Sequence, residues 1–160
     1  MKRTNLFFRW LVAVIAAAVL AGCASTPEVV SHGFGFDFID DSPDAVLIDY
    51  RYGTSYYGGS ERASLGRVGQ GRRIFGEIRR GDDLYVKWRL KDTGEVLEET
   101  VDLRTRLPQD IRGSEIYFMV RRSQLYVYLI TFQRRTKDEP PNGPSRTHYL
   151  KTITLYPDIP

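Results

Sequence analysis

Four kinds of side chain in this 160-residue sequence could do chemistry. There is one thiol, Cys23, and there are two imidazoles, His32 and His148. Carboxylates cluster at Asp37, Asp40, Asp41, Asp44 and Asp49, and guanidiniums at Arg62, Arg67, Arg72, Arg73, Arg79 and Arg80. A thiolate is a nucleophile, an imidazole a general base, grouped carboxylates a calcium site, and arginines among glycines an anion cradle. Spacing removes most of these options. No G-x-S-x-G elbow exists, since "GGSER" around Ser60 lacks its second glycine, and the histidines lack flanking ligand spacing. The aspartates lack the glycine-centred twelve-residue calcium loop, and Asp41-Ser42-Pro43-Asp44 reads as a turn. "GRVGQGRR" (66–73) lacks the Lys-Ser/Thr of a P-loop and reads as flexible loop. Adjacent acids at 82–83 and 98–99 would point to opposite faces of a strand and do not converge. The expectation is no catalytic residue, no metal, no cofactor and no enzyme activity.

The thiol has a clearer reading. Residues 1–10, MKRTNLFFRW, carry Lys2, Arg3 and Arg9 without an acid, and LVAVIAAAVLA (11–21) is uncharged. This is the layout of a secretory signal, too short for a permanent span. Leu20-Ala21-Gly22-Cys23 directly behind it resembles the lipobox of bacterial lipoproteins. The resemblance implies cleavage before Cys23, diacylglycerol on its sulfur and acylation of the new amine. More than one chain makes such anchoring stable. Ala24 and Ser25 replace the Asp that retains inner-membrane members of that family, which implies an outer-membrane anchor facing the periplasm. The net charge of +3 then loses its meaning: residues 1–22 hold three cations and no acid, so the remainder is neutral. Nucleic acid is not an expected partner.

The elements that would position any site are strands. "DAVLIDYRY" (44–52) alternates, placing Val46, Ile48, Tyr50 and Tyr52 on one face. "DLYVKWRL" (83–90) places Leu84, Val86, Trp88 and Leu90 inward, and "KDTG" leads into "EVLEETVDLR" (95–104) through a hairpin with Gly94 left-handed. "EIYFMV" (115–120) and "LYVYLITF" (125–132) flank "RRSQ" and are apolar on both faces, as in the middle of a covered sheet. Residues 72–80 and 148–156 are further strands, 138–146 a proline-rich loop, and 107–112 one helical turn. About seven strands predict an all-β domain, an antiparallel β-sandwich or partly closed barrel. The domain plan is a signal peptide at 1–22, a lipidated tether at 23–33 and one β-rich domain at 34–160. The segment 53–71 holds six glycines and reads as a long surface loop.

The body, "LYVKWRLKDTGEVLEETVDLRTRLP" through "SQLYVYLI" and "KTITLYPD", resembles small proteobacterial lipoproteins of unassigned activity linked to genes beside type VI secretion spike proteins. That linkage implies an immunity protein, a tethered domain that captures a toxin delivered to the periplasm. Residues 31–50 carry five acids and no Lys or Arg, whereas 62–80 carry six arginines against Glu77 alone. Such segregation steers encounters with a partner protein. The candidate partner-binding residues are Tyr56, Tyr57, Arg62, Arg67, Arg72 and Arg73, with scattering over unrelated faces as the opposing reading. A general envelope or structural lipoprotein assisting a membrane complex is the alternative function.

Overall fold

In the computed structural model residues 28–54 and 68–158 are described, and they form eight strands in two sheets. The strands are β1 (Val29–Asp37), β2 (Ala45–Tyr52), β3 (Gly71–Arg79), β4 (Asp83–Leu90), β5 (Val96–Asp102), β6 (Glu115–Arg121), β7 (Gln124–Arg134) and β8 (Leu150–Tyr156). The large sheet runs β3-β1-β6-β7-β8 and the small one β2-β4-β5, each with free edges, so the fold is a β-sandwich and not a closed barrel. All pairings are antiparallel except β1 with β6.

Alternation builds the core. Phe34 and Phe36 of β1 and Ile116, Phe118 and Val120 of β6 face Tyr50 and Tyr52 of β2 and Leu84, Val86 and Trp88 of β4. Aromatic rings bridge the two sheets: Phe34 stacks on Tyr52 at 4.9 Å, and Phe36 meets Tyr50 edge-on at 4.7 Å. Each such side chain contributes about 1.5–3 kcal/mol through burial. β6 lies at the centre of its sheet and is covered on both faces, as its two-sided apolar sequence predicts. Its outer face carries a second cluster, Tyr117 and Met119 with Tyr128, Ile130 and Leu150.

The structure corrects three expectations. The strand β1 begins at Val29, inside the expected tether 23–33, and is the strand beyond the seven predicted. Val30, His32, Phe34 and Phe36 are its inward row, but an imidazole in that row and Ser31, Gly33 and Gly35 between them hide the alternation. In β2 the register passes from Leu47 opposite Trp88 to Asp49 opposite Lys87. Ile48 is the extra residue of a bulge, so Ala45 and Leu47 face the core before it and Tyr50 and Tyr52 after it, while Val46 and Ile48 stay half-buried. Residues 107–112 are not helical. A turn closes at 103–107 through Leu107 N–H to Leu103 O at 3.0 Å, and Pro108 follows it. This connection tucks Leu103, Leu107 and Ile111 into the core.

Two glycines on the outer side of β1 exist for close approach. A methyl group on Gly33 would stand 2.4 Å from the Phe75 ring, and one on Gly35 would stand 2.5 Å from Glu115 Oε1. The hairpin between β4 and β5 has Gly94 at φ 74°, as its turn sequence requires.

Candidate functional site

At the end of the large sheet where β1 and β6 finish, the acidic β1–β2 turn folds back over the outer sheet face. Asp37 holds it locally, its Oδ1 accepting the N–H groups of Ile39 and Asp40 at 3.0 and 3.2 Å. Ser42 pins it to β6, with its buried Oγ accepting the Val120 N–H at 2.9 Å. Asp41 turns inward and accepts the Tyr117 hydroxyl at 2.6 Å.

The β7–β8 connection closes on the same point. It contains a 3-10 turn, Ser145–Thr147, and from it Arg146 reaches Asp37 at 3.0 Å and Asp41 at 3.3 Å. Arg146 also donates to the Tyr117 hydroxyl and lies 5.2 Å from its ring centroid. Burial, then the hydrogen bond to and charge of Asp41, push the Tyr117 phenol far above its ordinary range. Tyr117 therefore stays protonated and joins two loops to the sheet as a hydrogen-bonding post.

Beside this clamp lies an open groove of about 360 Å³. It is lined by Asp40, Asp41 and Asp44 of the acidic turn, Met119 of β6, Arg121 and Arg122 of the β6–β7 hairpin, and His148. Arg121 lies over the Tyr126 ring at 5.7 Å, and Arg122 pairs with Asp92 at 2.8 Å. His148 Nε2 lies 3.1 Å from the Gly143 carbonyl, which fixes the ring against the loop. The Lys91 ammonium donates to the Pro43 carbonyl at 2.7 Å and ties the β4–β5 hairpin to the acidic turn.

Arg122 has φ 53°, in the left-handed region where a two-residue hairpin usually places Gly or Asn. For a non-glycine residue this costs about 1–2 kcal/mol. The Trp88 indole N–H donates to the Arg122 carbonyl at 2.9 Å and secures the turn to the core. The result is a cleft lined by both carboxylates and guanidiniums, suited to receiving a charged segment of a partner.

The sequence-predicted residues fall elsewhere. Cys23, Tyr56, Tyr57, Arg62 and Arg67 lie outside the described residues. Arg72 and Arg73 are adjacent in β3 and so take opposite sides of the sheet: Arg72 stands opposite the core residue Phe36, and Arg73 points outward to Glu115. The acidic turn does not pair with Arg73; its partner is Arg146, from a proline-rich loop that offered no sequence signal. Arg121 and Arg122 were legible only as hairpin residues. Among the described residues no helix is long and apolar enough to cross a membrane. No family model, curated protein or solved structure matches this chain.

Proposed function

We propose that this chain is a membrane-anchored periplasmic protein-binding lipoprotein of immunity type, held at the outer membrane through lipid on Cys23 and acting by capture of a secreted toxin, not by catalysis. One observation carries this reading. The groove lies at the end of β1 opposite Val29, where the tether joins. The nine residues of β1 separate the two ends by roughly 30 Å. A groove so placed lies at the end of the domain remote from the anchor, open to what arrives in the periplasm. Its walls are fixed by Tyr117, Arg146 and Ser42, so a partner is met by a preformed surface and little ordering cost. Tyr56, Tyr57, Arg62 and Arg67 are the further residues this reading assigns to the interface, as aromatic and Arg anchors.

The test is capture by the lipidated protein from secreted and periplasmic fractions, beside a variant carrying Asp44→Lys and Arg121→Glu. A single secreted protein retained at high salt, and lost with the variant, supports the proposal. Recovery of resident envelope proteins by both forms would replace it with the alternative, a structural lipoprotein of a membrane complex.

A further inference from the structure

Among the described residues seven large apolar side chains are prominently exposed, and their distribution is uneven. Val29, Phe75, Phe132 and Tyr149 are 55, 50, 55 and 63% exposed. Val29, Phe132 and Tyr149 lie in the half of the large sheet where β1 begins, and Phe75 lies at its midpoint, opposite the fifth of the nine β1 residues. The register fixes this: Val29 is opposite Arg79, Phe75 opposite Gly33, Gly33 beside Glu115, and Glu115 opposite Ile130, just before Phe132. Leu150, which follows Tyr149, stands opposite Arg134. The remaining three are Ile39 in the acidic turn, Val96 in the small sheet and Ile153 within β8.

Phe75 and Phe132 belong to one surface. Phe75 lies across the bare backbone of Gly33, and its ring centroid is 5.6 Å from that of Phe132. Gly33 is about 13 Å along the strand from Val29, so Phe75 lies near the middle of β1, and Phe132 lies on the Val29 side of it. Arg79 and Arg134 are exposed at the same end and have no ion-pair partner among the described residues. Of the acids nearby, Glu115 pairs with Arg73, Asp110 with Arg112 and Glu139 with Lys151, while Glu28 beside Val29 and Glu77 on the outward row of β3 make no ion pair among the described residues.

We propose that this part of the outer sheet face, Val29, Phe75 and Phe132 flanked by Arg79 and Arg134, is a membrane-contact surface that rests on the anchoring bilayer and its anionic phospholipid headgroups. The proposal rests on the lipid-anchor reading of Cys23. Five residues separate Cys23 from Val29, a reach of at most about 20 Å, which confines this end of the domain to the lipid surface. Exposed aromatic rings favour the headgroup boundary, and unpaired cations beside them favour anionic lipid.

The test uses the mature protein, reconstituted into vesicles of phosphatidylcholine and phosphatidylglycerol with or without brominated acyl chains. Two variants each add one indole at an exposed position, Phe132→Trp on the proposed surface and Ile39→Trp at the far end, above the background of buried Trp88. The expected result is that Phe132→Trp loses most of its added emission to brominated lipid while Ile39→Trp keeps it, and that Arg79→Glu with Arg134→Glu reduces the quenching. Equal emission from both positions, or equal loss, overturns the proposal. The mass of the Cys23 peptide separates the two readings. Lipid on Cys23 without quenching at position 132 overturns the surface and leaves the anchor standing. Quenching at position 132 by vesicles added to a chain lacking that lipid supports the surface and overturns the anchor.

Discussion

The guanidinium of Arg73 meets the carboxylate of Glu115 through two parallel hydrogen bonds, Nε to Oε1 at 2.8 Å and Nη2 to Oε2 at 2.6 Å. The carboxylate is fully buried, whereas the arginine side chain is 45% exposed. The carboxylate lies over Gly35, the only residue type whose backbone leaves room for it there. Arg73 thus neutralises a charge inside the outer face of the large sheet, a structural task that its place in a basic segment conceals.

Removing one partner of such a pair is costly because the other charge stays buried. Arg73→Met is expected to lower unfolding stability by about 3 kcal/mol. The double variant Arg73→Met with Glu115→Met is expected to recover most of that loss, since no isolated charge remains. Urea unfolding of the two variants checks this. Equal destabilisation by both would show that the packing of Arg73, and not its charge, matters.

Tyr117→Phe removes the hydroxyl that stands between Asp41 and Arg146. Asp41 remains buried with Arg146 at 3.3 Å as its ionic partner, so the expected loss is about 1–3 kcal/mol. The same change loosens the acidic turn from the sheet. Amide exchange should therefore accelerate at residues 39–44 and 143–148 more than in β4 and β5. A uniform change across both sheets would argue against a local clamp.

Gln70 provides the joint between the sheets at one side of the sandwich. Its amide behaves as a strand fragment: Oε1 accepts the Leu47 N–H at 2.8 Å, Nε2 donates to the Leu47 carbonyl at 3.0 Å, and its backbone carbonyl accepts the Phe38 N–H at 2.7 Å. Gln70→Ala is expected to cost about 1–2 kcal/mol for the three lost side-chain bonds, the third running from Nε2 to the Val68 carbonyl at 3.1 Å. Exchange of the Leu47 amide, at the free edge of β2, should rise further than that of any amide in β4.

What the sequence discloses follows the strength of its periodicity. Leu84, Val86, Trp88 and Leu90 alternate without interruption, and β4 is found as read. The doubly apolar β6 and β7 occupy the covered interior of the large sheet for the same reason. β1 was hidden because its inward row includes His32 and its outward row is Ser31, Gly33 and Gly35, residues chosen by what lies over them in space. Ile48 misled because a bulge changes the parity of β2 without leaving a mark in the composition. The clamp was illegible because Asp41, Tyr117 and Arg146 are far apart in the chain and meet only when three segments converge. Gln70 likewise sits in a glycine-rich stretch that reads as loop, and its role depends on an edge strand more than twenty residues earlier in the chain.

His32 gives the domain a pH dependence whose sign follows from its bonds. Nδ1 lies 2.8 Å from the Val30 carbonyl and must donate, so in the neutral ring Nε2 accepts from the Tyr52 hydroxyl at 3.1 Å. Burial lowers the His32 pKa below 6.5. The Val30 carbonyl opposes that shift, the Arg80 charge adds to it and the Glu77 charge opposes it. The unfolded chain therefore takes up a proton at a higher pH than the folded one. Stability from this group is fully present above about pH 6.5 and is lost as the pH falls from there toward the folded pKa. Protonation would also place a second donor against Tyr52, whose hydroxyl would have to reverse. His32→Gln should be less stable at neutral pH, and should flatten the dependence of the urea midpoint on pH in the window just below 6.5. An unchanged slope in the variant would assign the acid sensitivity to carboxylates, whose titration falls lower: exposed Asp102 and Asp110, each held at about 2 by bonds from Arg104 and Arg112, lose their contribution only between their ordinary value of 3.8 and that point.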